Sequence, residues 1–301
     1  MAWREAEALE AARTVLASLG APDAKTVLAR FGQNALYAVP ELRLLLRVAR
    51  PTTAPKKITR MVAFARALSA AGMPTALPAD RPDIDQPIVL PGGIVSLWDL
   101  YDADPRCTVT PADLGGMLRR FHDTAAPLED LVETWEPLAM IRARLAAAER
   151  DGIDGALLEP LLGQLRFLES ALPDLVSRLG VGVIHGDAHF GNVLCLPGHD
   201  LRIIDFDEIS IGPREWDLVP ALVTRRRFTM SDTDYRSFVD GYGYDISTSP
   251  DAPTFIALRE MGMTTWLLQQ YGADDLIDAE IRHRIATITD RPPEVARWRA
   301  R

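Results

Sequence analysis

Two cysteines are all that the 301 residues contain. Their separation, Cys107 to Cys195, matches no metal-binding spacing, which excludes a disulfide-dense scaffold and a cysteine-clamped zinc module. Long apolar runs are missing too: none approaches the ~20 residues of a membrane span. The opening MAWREAEALEAARTVLASLG is charged and helix-patterned, without the apolar core and cleavage site of a secretory leader. A cytoplasmic, reduced protein is therefore the expectation. Basic clusters are scarce. Arg225-Arg226-Arg227 stands alone, so neither nucleic acid nor a membrane is an expected partner. Acid is absent between Glu41 and Asp80, an absence that matters below.

What is present is the composition of a soluble globular chain, 48% hydrophobic and 25% charged. Charge is uneven. Residues 1–98 carry 12 Lys+Arg against 8 Asp+Glu, and residues 99–301 carry 21 against 34. This division suits a first part that meets an anion and a second that meets cations.

Val27–Phe31, Ala35–Val39 and Leu42–Val48 are short apolar or β-branched runs separated by Gly32-Gln33-Asn34 and Pro40-Glu41, which predicts three antiparallel strands. In the third, Arg43, Leu45 and Arg47 share one face and Leu44, Leu46 and Val48 the other. A helix is predicted over 57–71, then a hairpin from QPIVL and GGIVSLW. Beyond Trp98 the patterns are mainly helical: 110–123, 137–150, 156–172, 173–179, from about 213, after Ser231, 252–270 and 275–289. Short strands are predicted at 181–185, 193–196 and 201–205. The expected fold is α+β with two lobes: a β-rich lobe over 1–98 and a larger helical lobe over 99–301.

The densest chemistry lies in VIHGDAHFGNVLC, residues 183–195. On a strand, His185, Asp187 and His189 would share a face and offer a hydrolase three zinc ligands. Gly186 and Gly191 favour a loop instead, and His122, His199 and His283 lie in no motif. Phosphoryl transfer to an alcohol uses more of the stretch. Asp187 can orient the hydroxyl and take its proton, and Asn192 can turn an amide oxygen onto Mg²⁺. The hairpin 193–205 brings Asp205 back as a second hard ligand.

HGDAHFGN followed by IIDFDEISIGPREWDL resembles the aminoglycoside phosphotransferase and choline kinase-like family, as do ALYAV…LRLLLRV, LGGMLRRFH and LREMGMTTWLLQ. The resemblance spans nearly the whole chain in order. It implies the bilobal protein-kinase-like fold, ATP and Mg²⁺ as cofactors, and transfer of the γ-phosphate to a small-molecule alcohol. By it, Asp187 is the catalytic base, and Asn192 and Asp205 hold the metal. Gly32, Gln33 and Asn34 lie over the phosphates, and Arg47 takes the place of the usual phosphate-binding lysine. Backbone groups near Ser96 to Trp98 receive adenine. Asp217 braces the catalytic loop, while Asp207 either touches a second metal or lines the acceptor mouth. His185 is expected to be structural, and Trp216, Met263 and Trp266 to be core. Acceptor contacts are expected after Ser231. The helix that would supply Arg47 with a glutamate partner has no acid. This absence supports an alternative, a kinase-fold protein that binds nucleotide or a small ligand without turnover.

Overall fold

The computed structural model describes residues 3–81, 84–289 and 296–299. Its described residues fall into two compact units: those within Met1–Val109, Asp123–Glu133 and Phe190–Ile209, and those within Thr110–His122, Thr134–His189 and Ser210–Arg301.

The first unit opens with helix α1 (Glu5–Ser18) and strands β1 (Val27–Phe31), β2 (Asn34–Val39) and β3 (Leu44–Ala49). Helix α2 (Pro55–Ala70) and strands β4 (Ile88–Leu90) and β5 (Gly93–Asp99) follow. The strands form one antiparallel sheet in the order β1-β2-β3-β5-β4. Period-two patterning explains the core: Ala35, Tyr37 and Val39 of β2 and Leu44, Leu46 and Val48 of β3 are buried against Ala8, Ala12, Val15 and Leu16 of α1. Arg43 is not on the Arg47 face. It sits outside the strand in the left-handed region (φ 55°), where the chain leaves a short 3₁₀ turn at Pro40–Leu42. Gly93 lies at φ 148°, and a Cβ there would meet the Ala49 carbonyl at 2.5 Å, so only glycine allows β5 to close on β3.

The first unit also holds the hairpin of β8 (Val193–Leu196) and β9 (Asp200–Ile203). Here Cys195 and Cys107 are joined as a disulfide, in contrast to the reduced state expected for them. The Asp104 amide donates to the Cys195 carbonyl (2.9 Å), which lays the segment 104–107 against β8. Such a contact across 88 residues leaves no trace in local spacing.

The second unit is built on helices. Among its elements are α4 (Ala139–Arg150), α5 (Gly155–Ala171), α6 (Val219–Arg227), α7 (Asp232–Tyr242), α8 (Ala252–Leu268) and α9 (Asp275–Thr289). Helix α3 (Pro111–Ala125), the two-residue strand β6 (Glu133–Thr134), β7 (Val181–Ile184) and β10 (Ser210–Pro213) are further elements. Strands β7 and β10 pair antiparallel. β10 falls where a helix was predicted to begin. The predicted helix over 173–179 is also absent. The chain makes one 3₁₀ turn at Leu172–Asp174 and then runs irregularly. Buried Glu215 accepts from the Ser177 hydroxyl and from the Arg178 and Leu179 amides (2.8 Å for the last), replacing the helical bonds.

Helix α8 is the hub of this unit, packed by α4, α5, α6 and α9. Its Glu260 is buried and receives both ends of the buried Arg227 fork, the second at 3.0 Å. The lone basic run is thus a structural anchor at the end of α6. Trp266 departs from its expected place in the core: it is 37% exposed, and Met263 is half-buried. No helix among the described residues is long and apolar enough to cross a membrane.

Candidate active site

Arg47 is 8% exposed, on the inner strand β3. A buried guanidinium needs a counter-charge. It finds one in Asp207, which accepts from Arg47 Nη2 through Oδ1 and from Asn34 Nδ2 through Oδ2 (2.9 Å). The partner missing from α2 is therefore supplied by the segment after β9. The charge pattern of α2 is inverted to match: its Lys57 pairs with Glu208 (3.5 Å) and its Arg60 with Glu133. Arg47 Nη1 remains buried with no hydrogen-bond partner among the described residues, a donor held ready for a ligand oxygen.

Phe206, between the two acids, is 2% exposed and packs edge-on against Phe64 of α2, with ring centroids 5.5 Å apart. This plug fixes the acids on either side. Asp205 is exposed and adopts φ 69°, a left-handed conformation that costs a non-glycine residue about 1–3 kcal/mol. Buried Asn192 is close by in the fold: its carbonyl accepts from the Ile204 amide at 3.0 Å. Asn192 and Asp205 carry an amide oxygen and a carboxylate, oxygen donors of the kind that Mg²⁺ takes.

Gly32, Gln33 and Asn34 form the turn from β1 to β2, closed by the Gly32 amide on the Asn34 carbonyl (3.0 Å). Gly32 has open space where a side chain would be. Ser96 stands opposite Arg47 and Trp98 opposite Leu45 in the register of β3 with β5, and Trp98 Nε1 donates to Ser96 Oγ (2.9 Å). Between them, the Leu97 amide donates to Gln86 Oε1 (2.8 Å) and the Leu97 carbonyl accepts from the Ala79 amide (2.9 Å). The Asp99 amide donates to the Leu77 carbonyl (2.9 Å).

Asp187 belongs to the second unit, on the turn that follows β7. That turn is held from beneath. Fully buried Asp217 accepts from the His185 amide (2.7 Å), the Gly186 amide (2.8 Å) and His122 Nε2 (2.9 Å). His122 Nδ1 is 2.8 Å from the Tyr242 hydroxyl, whose ionisation burial pushes upward. Trp216 Nε1 donates to the Gly186 carbonyl (2.9 Å). Gly186 itself lies at φ 86°, which lets the chain turn there without strain. His185 is wholly buried, edge-on to Phe121, in keeping with a structural role.

The Asp187 carboxylate faces a guanidinium and an imidazole. Arg259 Nη2 of α8 lies 2.8 Å from Oδ1, and His189 Nε2 lies 3.5 Å from Oδ2. Burial raises its pKa, but the bond and charge of His189 and the charge of Arg259 outweigh burial and hold the carboxyl well below the usual carboxylate range.

The model of the phosphotransferase enzyme family matches residues 25–255. The chain belongs to that family. It is a small-molecule phosphotransferase. No curated protein matches it by sequence. Among solved structures, the chain is similar to amicoumacin kinase hAmiN in complex with AMP-PNP, Ca²⁺ and Ami (16% identity, TM-score 0.74, 96% of this chain and 97% of that one). It is also similar to a microcompartment-associated aminopropanol kinase (18%, 0.66, 93% and 95%). A third is a choline/ethanolamine kinase family protein from Mesorhizobium loti (18%, 0.64, 94% of each). At these identities the likeness is one of fold, the kinase-like α+β fold expected from the sequence.

The sequence did not point to Arg259, His122 or Tyr242 in this phosphotransferase and left Asp207 unplaced, whereas Trp216 lies in the core as expected. Arg259 lies 72 residues from Asp187, on a helix that reads as apolar packing. His122 stands alone, with no local motif. The depressed pKa of Asp187 has a kinetic signature. Because the carboxyl stays ionised well below the usual range, kcat/KM of the phosphotransferase is expected to show no acid limb from Asp187 down to about pH 3.5, whereas an unperturbed carboxyl, titrating near pH 4, would by then have cost more than half of the rate. A pH–rate profile at saturating nucleotide checks this. An acid limb that vanishes only when Asp187 is replaced would contradict it.

Asp217 carries a second prediction. Asp217→Ala strands two buried amides and His122 without an acceptor, so unfolding free energy is expected to fall by about 3 kcal/mol or more. Denaturant titration measures it. A loss under 1 kcal/mol would show the loop to be held by other means.

Proposed function

We propose that this phosphotransferase moves the γ-phosphate of ATP to the hydroxyl of a small polar alcohol. In this reading the acceptor oxygen bonds to the γ-phosphorus, the bond to the β–γ bridging oxygen breaks, ADP leaves, and the hydroxyl proton passes by way of Asp187 to solvent. The observation that carries it is Asp187: an ionised carboxylate on a turn braced by Asp217, five positions before Asn192 in the chain.

Asn192 and Asp205 are the proposed Mg²⁺ ligands, and the ion, when bound, neutralises charge on the phosphates. Arg47, with its unspent Nη1, is the proposed phosphate cation, and the turn Gly32-Gln33-Asn34 lies over the same groups. Backbone groups near Ser96 to Trp98, towards the end of β5, are proposed to receive the adenine edge. Residues 1–98 are proposed as the nucleotide lobe and 99–301 as the catalytic and acceptor lobe, in a cytoplasmic enzyme.

The rival reading, binding without turnover, drew its support from the acid missing from α2. Asp207, paired with Arg47, offers a counter-charge in its place, which favours turnover. The test is incubation with ATP, Mg²⁺ and a panel of alcohols. ADP release above the no-acceptor rate is expected for some of them, and nucleotide binding with no acceptor-stimulated release would favour the rival.

A further inference from the structure

The charge division of the sequence suggests a cationic acceptor, because residues 99–301 are strongly acidic. The surroundings of Asp187 have the opposite sign. Arg259 and His189 both lie on its carboxylate. Arg144, from α4, donates to the Gly262 carbonyl one turn further along α8 (3.1 Å). The acid nearest in sequence, Glu260, points the other way and is consumed by Arg227 and Arg226. Helix α8 contains no other acid. Its less buried stripe runs through Ile256, Arg259, Met263 and Trp266, one cation among apolar side chains.

Arg259 is also under-used. Its Nη2 is engaged by Asp187, yet its buried Nε has no hydrogen-bond partner among the described residues. A guanidinium edge presents Nε and an Nη in parallel, the geometry that a carboxylate accepts through both oxygens. Here one proton of that fork is unpaired.

We propose that Arg259 is a specificity-determining residue, and that the acceptor is a hydroxy acid whose carboxylate lies beside its reacting hydroxyl. This rests on the phosphotransfer reading above and names its substrate class. The acceptor carboxylate completes the Arg259 fork and shares the guanidinium with Asp187. The hydroxyl is thereby delivered to the Asp187 oxygens. A polyamine or quaternary ammonium acceptor would instead place a like charge against Arg259.

The test uses the full chain with ATP and Mg²⁺ and three acceptor series on matched carbon skeletons: hydroxy acids, their primary amides and the corresponding amino alcohols. A hydroxy acid is expected to exceed its amide in kcat/KM by about 10-fold or more, the worth of one charge-assisted hydrogen bond to Arg259 Nε. Arg259→Gln is expected to remove that preference: acid and amide, both measured in the variant and so both carrying any effect on Asp187, should differ by less than about 2-fold in kcat/KM. Arg259→Lys is expected to keep part of it, which separates recognition from a folding defect.

Mg²⁺-dependent nucleotide binding, read separately by calorimetry, keeps the two proposals distinguishable. A parent that binds no nucleotide sinks the phosphotransfer reading itself. A parent that binds nucleotide but selects amino alcohols, or neither binds nor phosphorylates any hydroxy acid, overturns the assignment of Arg259 and leaves the phosphotransfer reading standing. Acid preference that persists undiminished in Arg259→Gln overturns it as well.

Discussion

Asp187→Asn is expected to lower turnover by roughly 10²–10⁴-fold, the range for removing a positioned proton acceptor. The substitution preserves size and one acceptor oxygen, so the turn braced by Asp217 stays in place. What it removes is the negative charge beside Arg259 and His189, the charge proposed to meet the acceptor hydroxyl. The nucleotide-binding residues proposed above lie on other segments of the chain, so the affinity for Mg²⁺-nucleotide should change little. Single-turnover measurement with saturating ATP isolates the chemical step. A variant that turns over like the parent would end the assignment of Asp187 as the acceptor-side acid. A variant that has lost nucleotide affinity along with turnover would point to a wider structural change.

Arg47→Ala is expected to raise KM for ATP by about 10–100-fold, since a charge-assisted hydrogen bond to phosphate is worth about 1.5–3 kcal/mol. Two effects add. The phosphates lose the Nη1 donor, and Asp207 is left partly buried without its counter-charge. Arg47→Lys is expected to recover only part of this. Lysine carries one compact charge, which Asp207 captures, whereas the arginine fork serves Asp207 with one arm and leaves the other free. A double-mutant cycle with Asp207→Asn should give a coupling of 1 kcal/mol or more, read as about 5-fold or more in KM for ATP. Additive effects would show that Asp207 does not brace Arg47, and full ATP affinity in the lysine variant would show that the second arm is not used.

The parts of the site that could be read from the sequence are those held by neighbouring residues. Asp187, Asn192 and Asp205 lie on one short run joined by a hairpin, so spacing alone brings Asn192 and Asp205 together. Strands β2 and β3 were readable because alternation at period two is what a half-buried sheet imposes. The contacts that escaped are those made across long stretches of chain. Arg47 meets Asp207 over 160 residues and His122 meets Asp217 over 95, and nothing local marks either. The failed helix over 173–179 shows a different limit. Its apolar spacing was right, but Glu215 offered those amides a better acceptor than a helical carbonyl. β10 was missed because Pro213 reads as the first residue of a helix; only pairing with β7 makes Ser210–Pro213 a strand.

The left-handed backbone at Asp205 sets heat resistance against activity at one position. Glycine is the residue that this conformation favours, and Asp205→Gly should relieve about 1 kcal/mol or more of local strain. It would also remove the carboxylate proposed to hold the metal. A library of variants selected for thermal tolerance alone is therefore expected to enrich glycine at 205, and those survivors should melt higher than the parent while failing to tighten on nucleotide when Mg²⁺ is added. A library selected for phosphorylation should return aspartate at 205 despite its backbone cost.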